Sequence, residues 1–318
     1  MIKNPIALSI AFILSSASFG LMTHSAYAAE TTKTAAQTMN PFFQVSPLPF
    51  QYPQFDKIKI SDFAPAFDRG MVDNTVEINA IANNPAAPTF DNTIIALERS
   101  GQLLGRATIV LGNYTGTISN EEIEKLDADY SPKFAAHFDS VYLNAKLFAR
   151  IKTLYNSRDT LGLDAQGVRL IERYYTDFVR AGNNLTEAQK TRIKAINSEM
   201  ATLTTQFGQN VLAEVNNSAV IVTDRAELAG LSDEQIAVLA QSAKDNGMPG
   251  KYRIALVNTT IQPLLPQIDN RALRERIHKA SVARGSRGNE WDNRAIVSKV
   301  TKLRAERAAI MGYPNYAA

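Results

Sequence analysis

The chain reads as a mainly α-helical protein, an array of long antiparallel helices with a small β element near residues 218–258. Two observations predict this. Apolar residues recur at steps of three and four over most of residues 60–310, and the connections between these runs are short, as in helical bundles. A third restricts the β content to one place: Ala219–Val222 and Tyr252–Val257 are short, β-branched or alternating runs that flank a helix and can pair as a small sheet.

The elements follow in order. Residues 1–28 read as a signal peptide. Lys3 gives a positive start, Ile6 to Leu21 is apolar but diluted by small residues, and Ala26-Tyr27-Ala28 has the small-x-small pattern of a cleavage site. The stretch is shorter than the roughly 20 residues of a spanning helix and no second one follows, so the expected destination is export to a bacterial periplasm, with no membrane association after cleavage. Residues 29–39 are small and polar, a flexible lead-in. Asn40 to Tyr52 holds three prolines and four aromatics, which predicts an extended arm docked on the body.

A first helix carries Phe63, Phe67, Met71, Asn74, Ile78 and Ile81 behind a Ser61-Asp62 cap. A second is opened by Asp91 and places Ile94, Leu97, Gly101, Leu104 and Leu111 on one face. The third, read as the longest, starts at a Ser119/Glu122 capping box and continues through Ile123, Tyr130, Phe138, Val141 and Ala145 to Phe148. A fourth runs from Asp164 to Ala181 and stops at Gly182. A fifth is opened by Thr186 and Gln189 and carries Ile193, Ile196, Met200, Leu203, Phe207 and Val211. Ser232 to Gln235 caps a short helix reaching Lys244. Helix resumes at Asn270–Arg284 and Asn289–Ile310, and Met311-Gly312-Tyr313-Pro314 stops it. Residues 314–318 read as the first turn of a further helix, so the expectation is a chain cut within a longer fold. Residues 40–215 are assigned to a helical N-terminal domain and 216–318 to a mixed region of helix and short strand.

Composition narrows the function. The formal charge of +3, from 34 basic and 31 acidic residues, gives little basis for nucleic acid as a partner. Zero cysteines exclude thiol nucleophiles, thiolate zinc sites and iron–sulfur clusters. Histidine occurs only at 24, 137 and 278, and His24 leaves with the signal peptide. His137 and His278 are 141 positions apart and neither is followed by Glu-x-x-His, so no local spacing makes them a metal pair; each reads as a packed or solvated side chain. The segment from Arg271 to Arg307 holds eleven Lys and Arg against four acidic residues, a net +7, with Trp291 as its only aromatic. Solvated helix faces explain it better than a basic wall for peptide carboxylates, and both better than a nucleic-acid patch. Gly101 and Gly105 have membrane-dimer spacing but read as close packing in a soluble core. Glu121-Glu122 and Asp233-Glu234 sit in first turns, where the helix dipole favours acids.

These segments, taken in order, resemble a known family. Phe63-Ala-Pro-Ala-Phe-Asp-Arg-Gly-Met71, Asp91-Asn-Thr-Ile-Ile-Ala-Leu-Glu98, Leu161-Gly-Leu-Asp164, Glu227-Leu-Ala-Gly-Leu-Ser232, Asn258-Thr-Thr-Ile-Gln-Pro-Leu-Leu265 and Gly312-Tyr-Pro-Asn-Tyr-Ala317 are similar to the N-terminal half of bacterial peptidyl-dipeptidases (dipeptidyl carboxypeptidases) in the thimet oligopeptidase family of zinc metallopeptidases. The resemblance covers Asn40 to Ala318. It implies a largely helical, two-lobed fold around a deep channel, short peptides as substrates, and removal of C-terminal dipeptides. It also implies zinc held by a His-Glu-x-x-His helix and a downstream glutamate in the other half. None of those ligands has a counterpart here, so no catalytic, cofactor-binding or metal-binding residue is assigned. The chain is expected to be inactive without the missing C-terminal catalytic half. The alternatives are a freestanding periplasmic peptide-binding or scaffolding module, and one half of a split enzyme complemented in trans.

Overall fold

A computed structural model describes residues 39–318. The signal peptide read at 1–28 and the lead-in, save its last residue, lie outside the described residues. The arm is turned rather than extended. Asn40 nucleates a 3-10 turn, Pro41–Phe43, by accepting from the Phe42 amide and donating to the Asp62 carbonyl (2.7 Å). Phe42 is thereby buried against Phe63, with ring centroids 5.1 Å apart, and Arg106 holds the Phe42 carbonyl at 3.1 Å. The second turn, Pro49–Gln51, is undocked at its tip, where Phe50 is 96% exposed and has a φ of 56°.

Helix α1 spans Phe63–Ala82 and buries Phe63, Phe67, Asn74, Ile78 and Ile81, the stripe expected from its spacing. The Asp62 carboxylate does not cap it. It accepts instead from the Lys59 amide at 2.8 Å and closes a preceding 3-10 turn. The expected second helix is opened by Thr89 rather than Asp91. Thr89 and Asn92 bond each other's amides reciprocally, and a π-helical turn, Phe90–Ile95, leads into α2, Ala96–Arg99. The chain then breaks at Gly101, whose φ of 69° suits a residue without Cβ, before α3 begins, Gln102–Thr117. The break turns the Gly101 amide toward the Glu77 carboxylate on α1, at 2.7 Å. Of the two glycines expected to mark close packing, Gly101 does so, an added Cβ lying 3.1 Å from the Asn74 side chain, and Gly105 does not. Gly105 faces open space, and the close crossing falls at Gly70 on α1, where an added Cβ would lie 2.9 Å from the Leu104 Cα.

Helix α4, Glu121–Tyr142, is capped by Asn120, not Ser119. It stops at Leu143, and Asn144 caps a separate α5, Ala145–Ser157. The single long helix expected through Phe148 is thus two. The longest is α7, Glu187–Asn217, with 31 residues behind the Thr186/Gln189 capping box. Between them lies α6, Ala165–Ala181, with Asp164 and Gly182 at its ends as expected.

Strands β1, Val220–Val222, and β2, Tyr252–Ile254, pair antiparallel with Val220 opposite Ile254. They flank α8, Asp233–Asp245, which has the Ser232/Gln235 capping box. A short α9, Asn258–Leu264, not among the expected helices, forms with Pro263 inside it. Helix α10, Arg271–Val282, follows its Asn270 cap, and α11 spans Arg294–Met311. α11 starts later than the expected Asn289 because residues 285–293 form a loop held against α7. At the far end, residues 314–318 form a turn, not helix.

Three apolar cores result. Phe63, Phe67, Tyr114 and Tyr130 centre the first; Ile94, Leu147, Ile151 and Phe178 the second; Val222, Leu228, Leu239, Ile254 and Ile277 the third. Helix α7 packs along α4 and α11. Among the described residues, no helix is long and apolar enough to cross a membrane.

Candidate functional site

His137 lies on α4, buried, with Nε2 2.8 Å from the Asn74 Oδ1 of α1. A carbonyl oxygen only accepts, so in this contact Nε2 carries a proton and donates it. Burial lowers the His137 pKa by penalising the imidazolium. His278 is exposed on α10. Among the described residues, no group of three His, Cys, Asp or Glu is placed to hold a metal ion. The described residues therefore do not fit a zinc site of the His-His-Glu kind.

His137 sets a pH dependence of stability. Its folded pKa is depressed, so the unfolded chain binds more protons in the window below about 6.5, and stability falls as pH falls through that window. His137→Gln is expected to flatten the urea-unfolding midpoint across this range. An unchanged slope would remove His137 as its source.

The basic segment Arg271–Arg307 is largely used for stitching. Arg276 pairs with Glu227 at 3.2 Å, Arg294 with Asp292 at 2.6 Å, and Lys299 with Glu199 on α7 at 3.0 Å. Arg284 donates to the Leu256 carbonyl at 2.8 Å, and Arg307 to the Asn197 side chain. The Arg294 pair holds the Asp292 carboxyl well below the usual carboxylate range. Trp291 sits half-buried in the 285–293 loop, and the paired acids Glu121-Glu122 and Asp233-Glu234 occupy first turns of α4 and α8 as expected.

The candidate site is where this segment meets α7. Glu214 of α7 is buried and forms an ion pair with Arg287, while its second oxygen accepts from Asn289 at 3.3 Å. One turn earlier Asn210, also buried, donates to Asn293 at 2.9 Å, and Asn293 donates to the Phe207 carbonyl at 3.3 Å. The Asn293 amide closes the loop on the Gly285 carbonyl at 2.8 Å. These bonds hold the loop between α10 and α11 on α7 and leave an apolar groove of about 820 Å³ beside it, lined by Phe207, Val211, Val215, Val282 and Val297. Sequence reasoning missed Glu214, Asn210 and Asn293. A signal existed, because Glu214 continues the Phe207, Val211 stripe at helical spacing, and a carboxylate on such a stripe needs a buried partner.

No family model matches the chain. It is 43% identical over 281 residues to dipeptidyl carboxypeptidase of Escherichia coli, covering 88% of this chain and 41% of that protein. Against dipeptidyl carboxypeptidase of Salmonella typhimurium it is 43% identical over 279 residues, 88% of this chain and 41% of the relative. Against oligopeptidase A of Haemophilus influenzae it is 26% identical over 281 residues, 87% and 40% respectively. The chain thus spans about two-fifths of the length of the curated relatives it matches. A likeness this high, running through the arm, the helices and the small sheet alike, makes the chain similar to about two-fifths of a dipeptidyl carboxypeptidase, with oligopeptidase A as a more distant relative.

Proposed function

We propose that this chain forms part of the body of a peptidase acting on short peptides, one wall of the path along which the substrate lies, in a protein that releases C-terminal dipeptides. The observation that carries this is the 43% identity to a dipeptidyl carboxypeptidase over 88% of the chain. In this reading the hydrolytic step belongs to a zinc-holding His-Glu-x-x-His helix, which this sequence does not contain. The residues here bind and position: they build the helical frame and fix the groove on α7. Export remains part of the same proposal and rests on the leader-like features of Lys3, Ile6–Leu21 and Ala26-Tyr27-Ala28.

The reading has two tests. The purified chain should show no stoichiometric zinc by elemental analysis and no release of dipeptide from an N-blocked tripeptide. Zinc-dependent, chelator-sensitive turnover by the chain alone would overturn it. In the second test the chain replaces the matched 281 residues of the E. coli dipeptidyl carboxypeptidase. The chimera should release dipeptides, and a folded chimera without activity would count against the peptidase role.

A further inference from the structure

We infer that the groove between α7, α10 and α11 is a docking surface for the polypeptide that makes up the rest of the family fold, engaged through an apolar helix face that carries a carboxylate opposite Arg284. The inference rests on the family reading above and adds to it the surface and the chemistry of the partner.

The first support is the split behaviour of one stripe. On α7, Ile193 and Ile196 are fully buried, yet the same face continues to Phe207 and Val211, which are 40% and 43% exposed. Here this chain covers the face only in part, with Asn210 and Glu214 buried beside the exposed Phe207 and Val211. The second is convergence. Val282, 67% exposed at the end of α10, and Val297, 51% exposed on α11, come from other elements to the same groove. Isolated exposed valines are ordinary, but four large apolar side chains from three helices around one concavity mark an interaction site. The groove is also larger than the concavity between α3 and α7, about 430 Å³, or the one beside Gly101, about 200 Å³.

The third support is rigidity. The buried Glu214 carboxylate, paired with Arg287, and the buried Asn210–Asn293 bond lie along the groove wall, so the groove is formed in advance and an occupant need not order it. A preformed apolar trough between helices is the shape that an amphipathic helix fills. Charge gives the flank of that helix. Arg284 lines the groove with its hydrogen bonds going to the Leu256 and Ser281 carbonyls, so its positive charge calls for a carboxylate from the occupant. The source of the occupant follows from length. In the relatives roughly three-fifths of the length lies outside the matched part, and that polypeptide is the occupant assigned to this groove.

The sequence contains no cysteine, which makes the test direct. Val282→Cys and Val297→Cys report on the groove, and Val238→Cys, at a position 67% exposed on α8, serves as control. In the isolated chain all three should react rapidly with a maleimide. In the chimera with the E. coli enzyme, corrected for the chimera without the added cysteine, positions 282 and 297 should react at least tenfold more slowly and position 238 at an unchanged rate. A second arm co-expresses the chain with the same E. coli remainder as a separate polypeptide, so that the outcome does not depend on the junction. Unchanged rates at 282 and 297 in both arms, or no complex and no folded chimera, overturn the inference. So does protection already present in the isolated chain together with a dimer by light scattering, which would make a second copy the occupant. Dipeptide release is read separately. Protected cysteines in a folded but inactive chimera keep the docking surface and count against the peptidase role, and an active chimera with unprotected cysteines does the reverse.

Discussion

Gly230→Ala is expected to destabilise the chain by about 3 kcal/mol or more, the combined effect of backbone strain and steric overlap. Gly230 lies between the 3-10 turn Arg225–Leu228 and α8, with a φ of 97°. A Cβ built there would sit 2.0 Å from the Gln267 carbonyl oxygen and 3.0 Å from the Asp269 amide nitrogen, both backbone atoms. Neither can rotate aside, because the Asp269 amide is bonded to the Ala229 carbonyl at 2.8 Å and ties the two segments together. The whole third core, with Leu228 on one side and Ile268 on the other, would have to shift. Gly101→Ala should cost less, about 1 kcal/mol, since its nearest neighbour is the Asn74 amide group at 3.1 Å, the end of a side chain. Urea unfolding followed by circular dichroism measures both. A Gly230→Ala loss no greater than that of Gly101→Ala would refute the steric account.

The second large effect belongs to Glu214. Arg287→Ala leaves the buried Glu214 carboxylate without its counter-charge, at an expected cost of about 3 kcal/mol. The loss should be local first. Hydrogen exchange should quicken in residues 285–293, whose hold on α7 depends on this pair and on Asn210–Asn293. Glu214→Ala combined with Arg287→Ala should recover part of the loss, because the unpaired charge disappears. A double variant no more stable than Arg287→Ala alone would show that the buried charge is not the cause.

Most helix starts were legible where one polar residue could bond an amide three positions on. Thr186 with Gln189, Ser232 with Gln235, and Asp164 all cap as their spacing implies. The errors came where two candidates competed. Thr89 and Asp91, or Ser119 and Asn120, are equally able caps in sequence, and the choice depends on which residue the preceding turn leaves extended. The break between α4 and α5 was hidden because Val141, Ala145 and Phe148 keep helical spacing across it, although Asn144 is a capping residue. The absence of a His-Glu-x-x-His helix needs no fold and was legible from the histidine positions alone. The groove was not. Its stripe on α7 reads like any core face, and its polar wall joins Glu214 and Asn210 to residues 75 and 83 positions away. Spacing shows that a face is apolar, not what covers it.

The length of α7 has a consequence for how the chain is made. At about 46 Å it is a beam loaded from both sides. Residues synthesised earlier grip one side, with Gln209 on the Glu124 carbonyl at 2.6 Å and Thr205 against Ser131 at 2.7 Å. The other side waits: Arg192 meets Glu306 at 2.6 Å, and Glu199 meets Lys299 at 3.0 Å. Wherever the chain emerges N-terminus first, α7 is therefore half-supported while some hundred further residues follow, and α11 braces it only once they are out.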